Sequence, residues 1–135
     1  MSVDAHATVA DFTAALTRGD LEACRALVSD DLVFSEPASL PFGGEHHGWD
    51  SVVDMLSLLG RRYKLRLDPP VMAVAGAQAF VRMSGAISSR TTGRAMALNA
   101  LDVYEVDESS RIIKVDVYYK DVAAVLDLDR TDDHG

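Results

Sequence analysis

The chain has 135 residues, enough for one hydrophobic core and too few for two independent ones. Its 21 Asp and Glu against 13 Lys and Arg give a formal charge of −8, and no basic run exceeds Arg61-Arg62, which argues against nucleic acid as a partner. The lone Cys24 allows no intramolecular disulfide, no apolar run approaches the roughly 20 residues of a membrane span, and Met1-Ser-Val-Asp-Ala-His6 has no basic region leading into an apolar one, so a cytoplasmic protein without a membrane partner is expected.

Ala5, Val9, Phe12 and Leu16 recur at spacings of four, three and four, which predicts a helix over 4–18 ending near Arg18-Gly19. Asp20 is placed to cap a short second helix carrying Leu21, Cys24, Leu27 and Val28, closed by Ser29-Asp30-Asp31. A strand over 32–36 follows. The segment from Pro37 to Gly48 is rich in turn formers, holds His46 and His47, and reads as a loop long enough to form a rim or lid. Asp50 or Ser51 is placed to cap a third helix with Val52, Leu56 and Leu59 on one face. Strands are predicted near 63–68, 71–75, 78–89, 95–106 and 111–119, and in the last of these Ile113, Val115, Val117 and Tyr119 form the inner face. The acidic tail over 129–135 lacks the apolar residues to offset its ordering entropy and is expected to fray, leaving a single domain over 1–128. Helices followed by long antiparallel strands give an α+β fold, with a curved sheet wrapped around three N-terminal helices.

Two carboxylates break the alternation. Strand side chains change face with period two, so Glu36 continues the face of Leu32 and Phe34, and Asp102 shares a face with Met96, Leu98, Ala100 and Tyr104. A charge costs much to bury unless it is paired or neutralised, so two acids at core-facing positions point to a wet pocket. Desolvation there favours proton transfer: Glu36 as general base, Asp102 as a neutral acid that stabilises a developing oxyanion, with the inverted assignment equally compatible. The structural alternatives are a Glu36 paired with Arg62 or Arg82 or capping loop amides, and an Asp102 bonded to Tyr104, Tyr119 or a water. Glu45, His46 and His47 are adjacent rather than spaced for one metal centre, and Gly43-Gly44 lacks the context of a phosphate loop. Neither metal nor cofactor is expected.

The chain resembles the SnoaL-like members of the nuclear-transport-factor-2-like superfamily. The resemblance rests on Gly19-Asp-Leu-Glu-Ala23, Asp30-Asp-Leu-Val-Phe-Ser-Glu-Pro37, Leu40-Pro-Phe-Gly-Gly44 with Gly48, Leu101-Asp-Val-Tyr-Glu-Val-Asp107 and Arg111-Ile-Ile-Lys-Val-Asp-Val-Tyr-Tyr119, in that order over residues 5–127. It implies a cone-shaped α+β barrel enclosing a pocket, and commonly a homodimer packed through the outer sheet face. By similarity to ketosteroid isomerase, Glu36 falls at the position of its proton-shuttling Asp before a Pro, and Asp102 at that of its oxyanion-binding Asp. That enzyme's oxyanion tyrosine position is Phe12 here, and its supporting tyrosine positions are Val28 and Leu56. The resemblance therefore points away from steroid isomerisation by that tyrosine network and toward the polyketide cyclases and epoxide-opening enzymes. It further implies that Phe12, Trp49, Met83 and Tyr119 shape an apolar cavity. Independently of the resemblance, His46 or His47 could act from the loop as acid or hydrogen-bond donor, and His47, which adjoins Gly48 and the start of the third helix, is preferred. Two functions are compatible: a cofactor-free cyclase, epoxide hydrolase or isomerase acting on an apolar small molecule, or a non-catalytic dimeric binder of a lipophilic ligand.

Overall fold

Residues 4–130 are described by a computed structural model. Helix α1 (Ala5–Thr17) starts at Asp4, whose carboxylate accepts the Ala7 amide at 2.9 Å, and α2 (Leu21–Ala26) starts at Asp20, which accepts the Ala23 amide at 3.1 Å. The predicted stripe on α1 is buried at Ala5, Val9 and Phe12, to which Thr8 and Ala15 add. Strand β1 (Val28–Glu36) begins four residues earlier than the sequence suggests. Val28 pairs with Ile112 and is buried there, and Ser29-Asp30-Asp31 lie in an irregular stretch of strand rather than closing a helix.

The segment read as a loop contains a strand of its own, β2 (Gly44–His47), antiparallel to β1. Before it, Leu40 and Phe42 turn into the core, so this stretch is anchored by two buried side chains. Helix α3 (Trp49–Arg62) is started by Gly48 with no side-chain cap, so neither Asp50 nor Ser51 serves as N-cap. Gly48 sits at φ 82°, a left-handed conformation that glycine adopts without steric penalty. Its amide donates to the Leu32 carbonyl at 2.8 Å, tying the helix entry to β1.

The remaining strands are β3 (Tyr63–Leu67), β4 (Val71–Ala75), β5 (Gln78–Ser89), β6 (Ala95–Val106) and β7 (Ile112–Tyr119), followed by a helix not foreseen from sequence, α4 (Val122–Asp127). Seven strands form one curved sheet in the order β2-β1-β7-β6-β5-β3, with β4 pairing the other half of β5. All pairings are antiparallel except β1 with β7, which is parallel. The long β5 serves β4 with residues 78–82 and β3 with residues 85–89. The change of partner centres on Gly85, at φ 137°, where a β-carbon would collide with the Arg66 carbonyl oxygen. Helix α1 lies over β4–β6 and α3 over β1–β3, so the concave face of the sheet is the one that meets the helices.

Register decides the faces. Val106 pairs with Ile112 and Glu105 with Lys114, so Ile113 is the extra residue of a bulge and Ile112 takes the inner position expected of Ile113. Beyond the bulge the expected alternation returns, with Val115 and Val117 buried and Tyr119 partly so. No helix among the described residues is long and apolar enough to cross a membrane. Of the segment read as a tail, Asp129 is held by side chains of the fold, whereas 131–135 lie outside the described residues.

Candidate active site

The concave face gathers the two carboxylates. Phe34 pairs with Val115 and Ser35 with Asp116, which sets Glu36 beside Val117; Val117 in turn lies directly across from Asp102. Glu36 and Asp102 are therefore two strands apart, about 10 Å between backbones at the usual interstrand spacing, on a surface whose curvature brings side chains together. Tyr119 is two residues on from Val117 and shares its face, opposite Ala100.

Glu36 is 6% exposed, and its Oε1 has no hydrogen-bond partner. Burial lifts its pKa from 4.5 to about 8, the Asp102 carboxylate adds to the rise, and the neighbouring Tyr119 hydroxyl pulls the other way. Asp102 is partly buried, and desolvation lifts its pKa from 3.8 to about 7. Tyr119 is pushed far above the ordinary phenol value by burial and by the two carboxylates, so its hydroxyl stays a donor. Tyr104, fully buried on the same face, is shifted upward for the same reasons, with Cys24 contributing.

No cation compensates the pair. Among the described residues, no Arg or Lys forms an ion pair with Glu36 or Asp102. Pairing of β5 with β6 runs without a shift through Gly85, so Arg82 stays on the convex side, where its guanidinium donates to Asn99 Oδ1 at 3.4 Å. Arg62 is likewise spoken for, bonded to Asp129 at 3.0 Å. Both carboxyls are shifted upward toward neutrality, the range in which a side chain can give or accept a proton.

Two clefts reach this region. One, of about 480 Å³, opens at the ends of β1 and β7 and is lined by Glu36, Pro37, Val117, Tyr119 and Val122 among others. The second, of about 300 Å³, runs along β6 between Met96, Leu98 and Asn99 and the residues Lys120, Asp121 and Val125, and contains neither carboxylate. Tyr119 lines both. Asp102 lines neither, although Val117 directly across from it lines the first.

The other expected pocket residues divide. Met83 faces the concave side opposite Ala100, half-buried. Phe12 and Trp49 are core: Phe12 is edge-on to Trp49 at 6.2 Å and to Tyr104 at 6.0 Å, and neither lines a cleft. His47 pairs with Val33 on the convex side, is exposed, and has Nε2 3.5 Å from Glu45 Oε1, so it does not join the site. His46 is the inward one, paired with Phe34 and bonded through Nε2 to the Phe42 carbonyl at 3.0 Å. Without β2 in the sequence reading, nothing distinguished the two by face. Phe42 was also missed: it packs edge-on against Tyr63 at 5.7 Å and Tyr119 at 6.5 Å and so backs the tyrosine shared by both clefts. Its only sequence signal was an apolar residue between Pro41 and Gly43. No cluster of three or more metal-ligating side chains occurs among the described residues.

Comparison with known proteins agrees with this architecture. Solved structures superpose over nearly the whole chain: an NTF2-like protein of Burkholderia xenovorans LB400 at a TM-score of 0.83 and 21% identity, covering 92% of this chain and 95% of that one; an NTF2-like protein of Burkholderia thailandensis E264 at 0.83 and 24%, covering 94% and 98%; and a candidate polyketide cyclase of Pseudomonas putida KT2440 at 0.72 and 21%, covering 87% and 92%. No curated protein matches. The sequence profile of the SnoaL-like domain matches residues 9–115, and the chain belongs to that family, within the NTF2-like superfamily.

Proposed function

We propose that this protein is a cofactor-independent enzyme that moves protons on an apolar, uncharged small molecule, in a polyketide-type cyclisation, an epoxide opening or a double-bond isomerisation. The observation that carries the reading is a pair of carboxyl groups on one concave face, one with an unpartnered buried oxygen, and no ion pair to either among the described residues. A structural salt bridge would have supplied the cation. An anionic substrate would meet an acidic face, whereas a carbonyl, hydroxyl or epoxide oxygen finds donors in a protonated carboxyl and a phenol.

Electrostatics favour one assignment of roles. Desolvation raises both carboxyls, and the Asp102 charge adds to the rise at Glu36, which suits an ionised Asp102 beside a protonated Glu36. Ionised Asp102 takes a proton from carbon, and the electron pair of that C–H bond moves onto the carbonyl oxygen; in an epoxide opening it takes the proton from water or a hydroxyl, whose oxygen bonds to the ring carbon as the C–O bond breaks and its electron pair goes to the epoxide oxygen. Neutral Glu36, with the Tyr119 hydroxyl beside it, donates a hydrogen bond to the carbonyl oxygen while the proton on Asp102 returns to carbon, or gives its proton to the epoxide oxygen and is reprotonated through solvent as Asp102 releases its own. Of the two assignments compatible with the sequence, this is the one with Asp102 as base and Glu36 as acid. Support for the chemistry also comes from relatives of this fold that carry the polyketide cyclase name.

The test is deuterium exchange in D₂O into a panel of enolisable polycyclic ketones and β-keto esters, with aryl epoxides assayed for opening. Turnover by the wild type that is lost in Asp102→Asn supports the reading; turnover unchanged by both Asp102→Asn and Glu36→Gln sinks it.

A second reading, a dimeric binder without catalysis, draws on the convex face. Val71, Arg82, Leu101 and Tyr118 form one row across β4, β5, β6 and β7, with Val71 69% and Tyr118 56% exposed. Such a row suits a self-complementary interface. Sedimentation of wild type against Tyr118→Asp decides whether this face holds two copies together.

A further inference from the structure

Helix α4 stands between the two clefts. Val122 lines the larger one, Val125 the smaller, and both clefts end at Tyr119. The helix is only six residues long, capped at Asp121, whose carboxylate accepts the Ala124 amide at 3.0 Å. Its inward stripe is Val122, Val125 and Leu128, of which the last two are nearly sealed from solvent. Nothing else in so short a helix would hold it in place, since isolated helices of this length do not persist in water.

Just beyond the helix is a fastening made of side chains. Asp129 accepts from Ser89 Oγ at 2.6 Å, Tyr63 Oη at 2.6 Å and Arg62 Nη2 at 3.0 Å, and Thr92 Oγ1 donates to the Leu128 carbonyl at 2.5 Å. These partners come from the end of α3, from β3, and from β5 with the turn that follows it, all of which stay in place if α4 moves. The helix is thus tethered at Lys120-Asp121 and pinned at Asp129, with a stripe of three aliphatic side chains in between.

We propose that α4 is a displaceable lid, that Asp129 is its latch, and that an apolar ligand enters by swinging α4 away, which joins the two clefts past Tyr119 into one chamber. The occupant is then an apolar molecule long enough to span from Glu36 toward Met96 and Leu98. The proposal rests on the concave face as a ligand site, and does not require the acid–base assignment given above.

Hydrogen exchange on Asp129→Asn tests it, with a parallel Ser89→Ala variant that leaves the Asp129 charge in place. The amides of Val125 to Leu128 should exchange roughly 10- to 100-fold faster in Asp129→Asn, and less so in Ser89→Ala, while amides in the middle of β6 keep their wild-type rates. Stopped-flow binding of neutral 1-naphthol, followed by its fluorescence, should speed up in the same order. The proposal is overturned if α4 amides exchange only together with those of β6, if faster opening leaves the naphthol association rate unchanged, or if naphthol binds neither protein. Asp102→Asn and Glu36→Gln separate the two ideas: wild-type α4 exchange with full turnover in both variants removes the acid–base reading and leaves the lid standing.

Discussion

The upward shift of Glu36 makes a prediction about stability that needs no substrate. A carboxyl whose folded pKa lies above its unfolded one binds its proton more tightly in the native state. Its contribution is therefore fully present below the unfolded value of 4.5 and is lost as pH rises toward about 8. With those two values, linkage gives a loss of about 4 kcal/mol in wild type between about pH 5 and about pH 9, at most 1.36 kcal/mol per pH unit. Glu36→Gln keeps the shape and removes the titration, so the difference in unfolding free energy between variant and wild type should move in favour of the variant by about 2–4 kcal/mol over that range. The constant part of the difference, which includes the fit of the new amide, does not enter. Urea unfolding at about pH 5, pH 7 and pH 9, with Asp102→Asn as a companion, measures it. A difference flat to within about 0.5 kcal/mol, or one that moves toward wild type with rising pH, would show that Glu36 is ionised and solvated in the folded protein.

Other consequences can be checked separately. If Asp102 is the base, Asp102→Asn should lower kcat by roughly 10³-fold or more, while Glu36→Gln, whose amide can still donate, should lose about 10- to 100-fold, as steady-state kinetics on any accepted substrate would show. Tyr119→Phe removes the hydroxyl that opposes the rise at Glu36, so the Glu36 carboxyl carbon should titrate at higher pH in the variant than in wild type by NMR. Gly85→Ala forces a β-carbon onto the Arg66 carbonyl at a positive φ, and thermal or urea unfolding should register a loss of about 3 kcal/mol or more.

What the sequence discloses is whatever obeys a period. Glu36 and Asp102 stood out because they interrupt an alternation that otherwise runs true through Leu32 and Phe34 and from Met96 to Tyr104, and the coordinates place both on the face so inferred. The features that escaped are those where a local irregularity or a distant partner decides. One bulged residue at Ile113 exchanges the faces of Ile112 and Ile113. Strand β2 is four residues of Gly, Glu and His with no strand propensity to speak of, formed because β1 offers an edge, and only its register separates inward His46 from outward His47. Phe12 and Trp49 were assigned to a cavity wall by resemblance, yet Phe12 packs between Trp49 and Tyr104 and both are buried in the core. Asp129 reads as one more acid in a charged run, and only Tyr63, Ser89 and Arg62, all far away in sequence, give it a fixed place.

The parallel pairing of β1 with β7 carries a further consequence, for the order in which the molecule can be made. Glu36 stands on the first strand and Tyr119 on the last, with the whole of α3 and five strands intervening, so the pairing that brings them together is among the longest loops the chain closes. A nascent chain that has emerged only as far as β5 has no partner for the inner side of β1, and its aliphatic residues remain open to solvent or to other chains. Folding should therefore be slow for a domain of this size and sensitive to loss of its final strand, with truncation before Tyr119 yielding aggregation rather than a smaller folded core. In such an architecture the concave face that joins Glu36 to Tyr119 is the last thing to be assembled, and an incompletely translated copy has none of it.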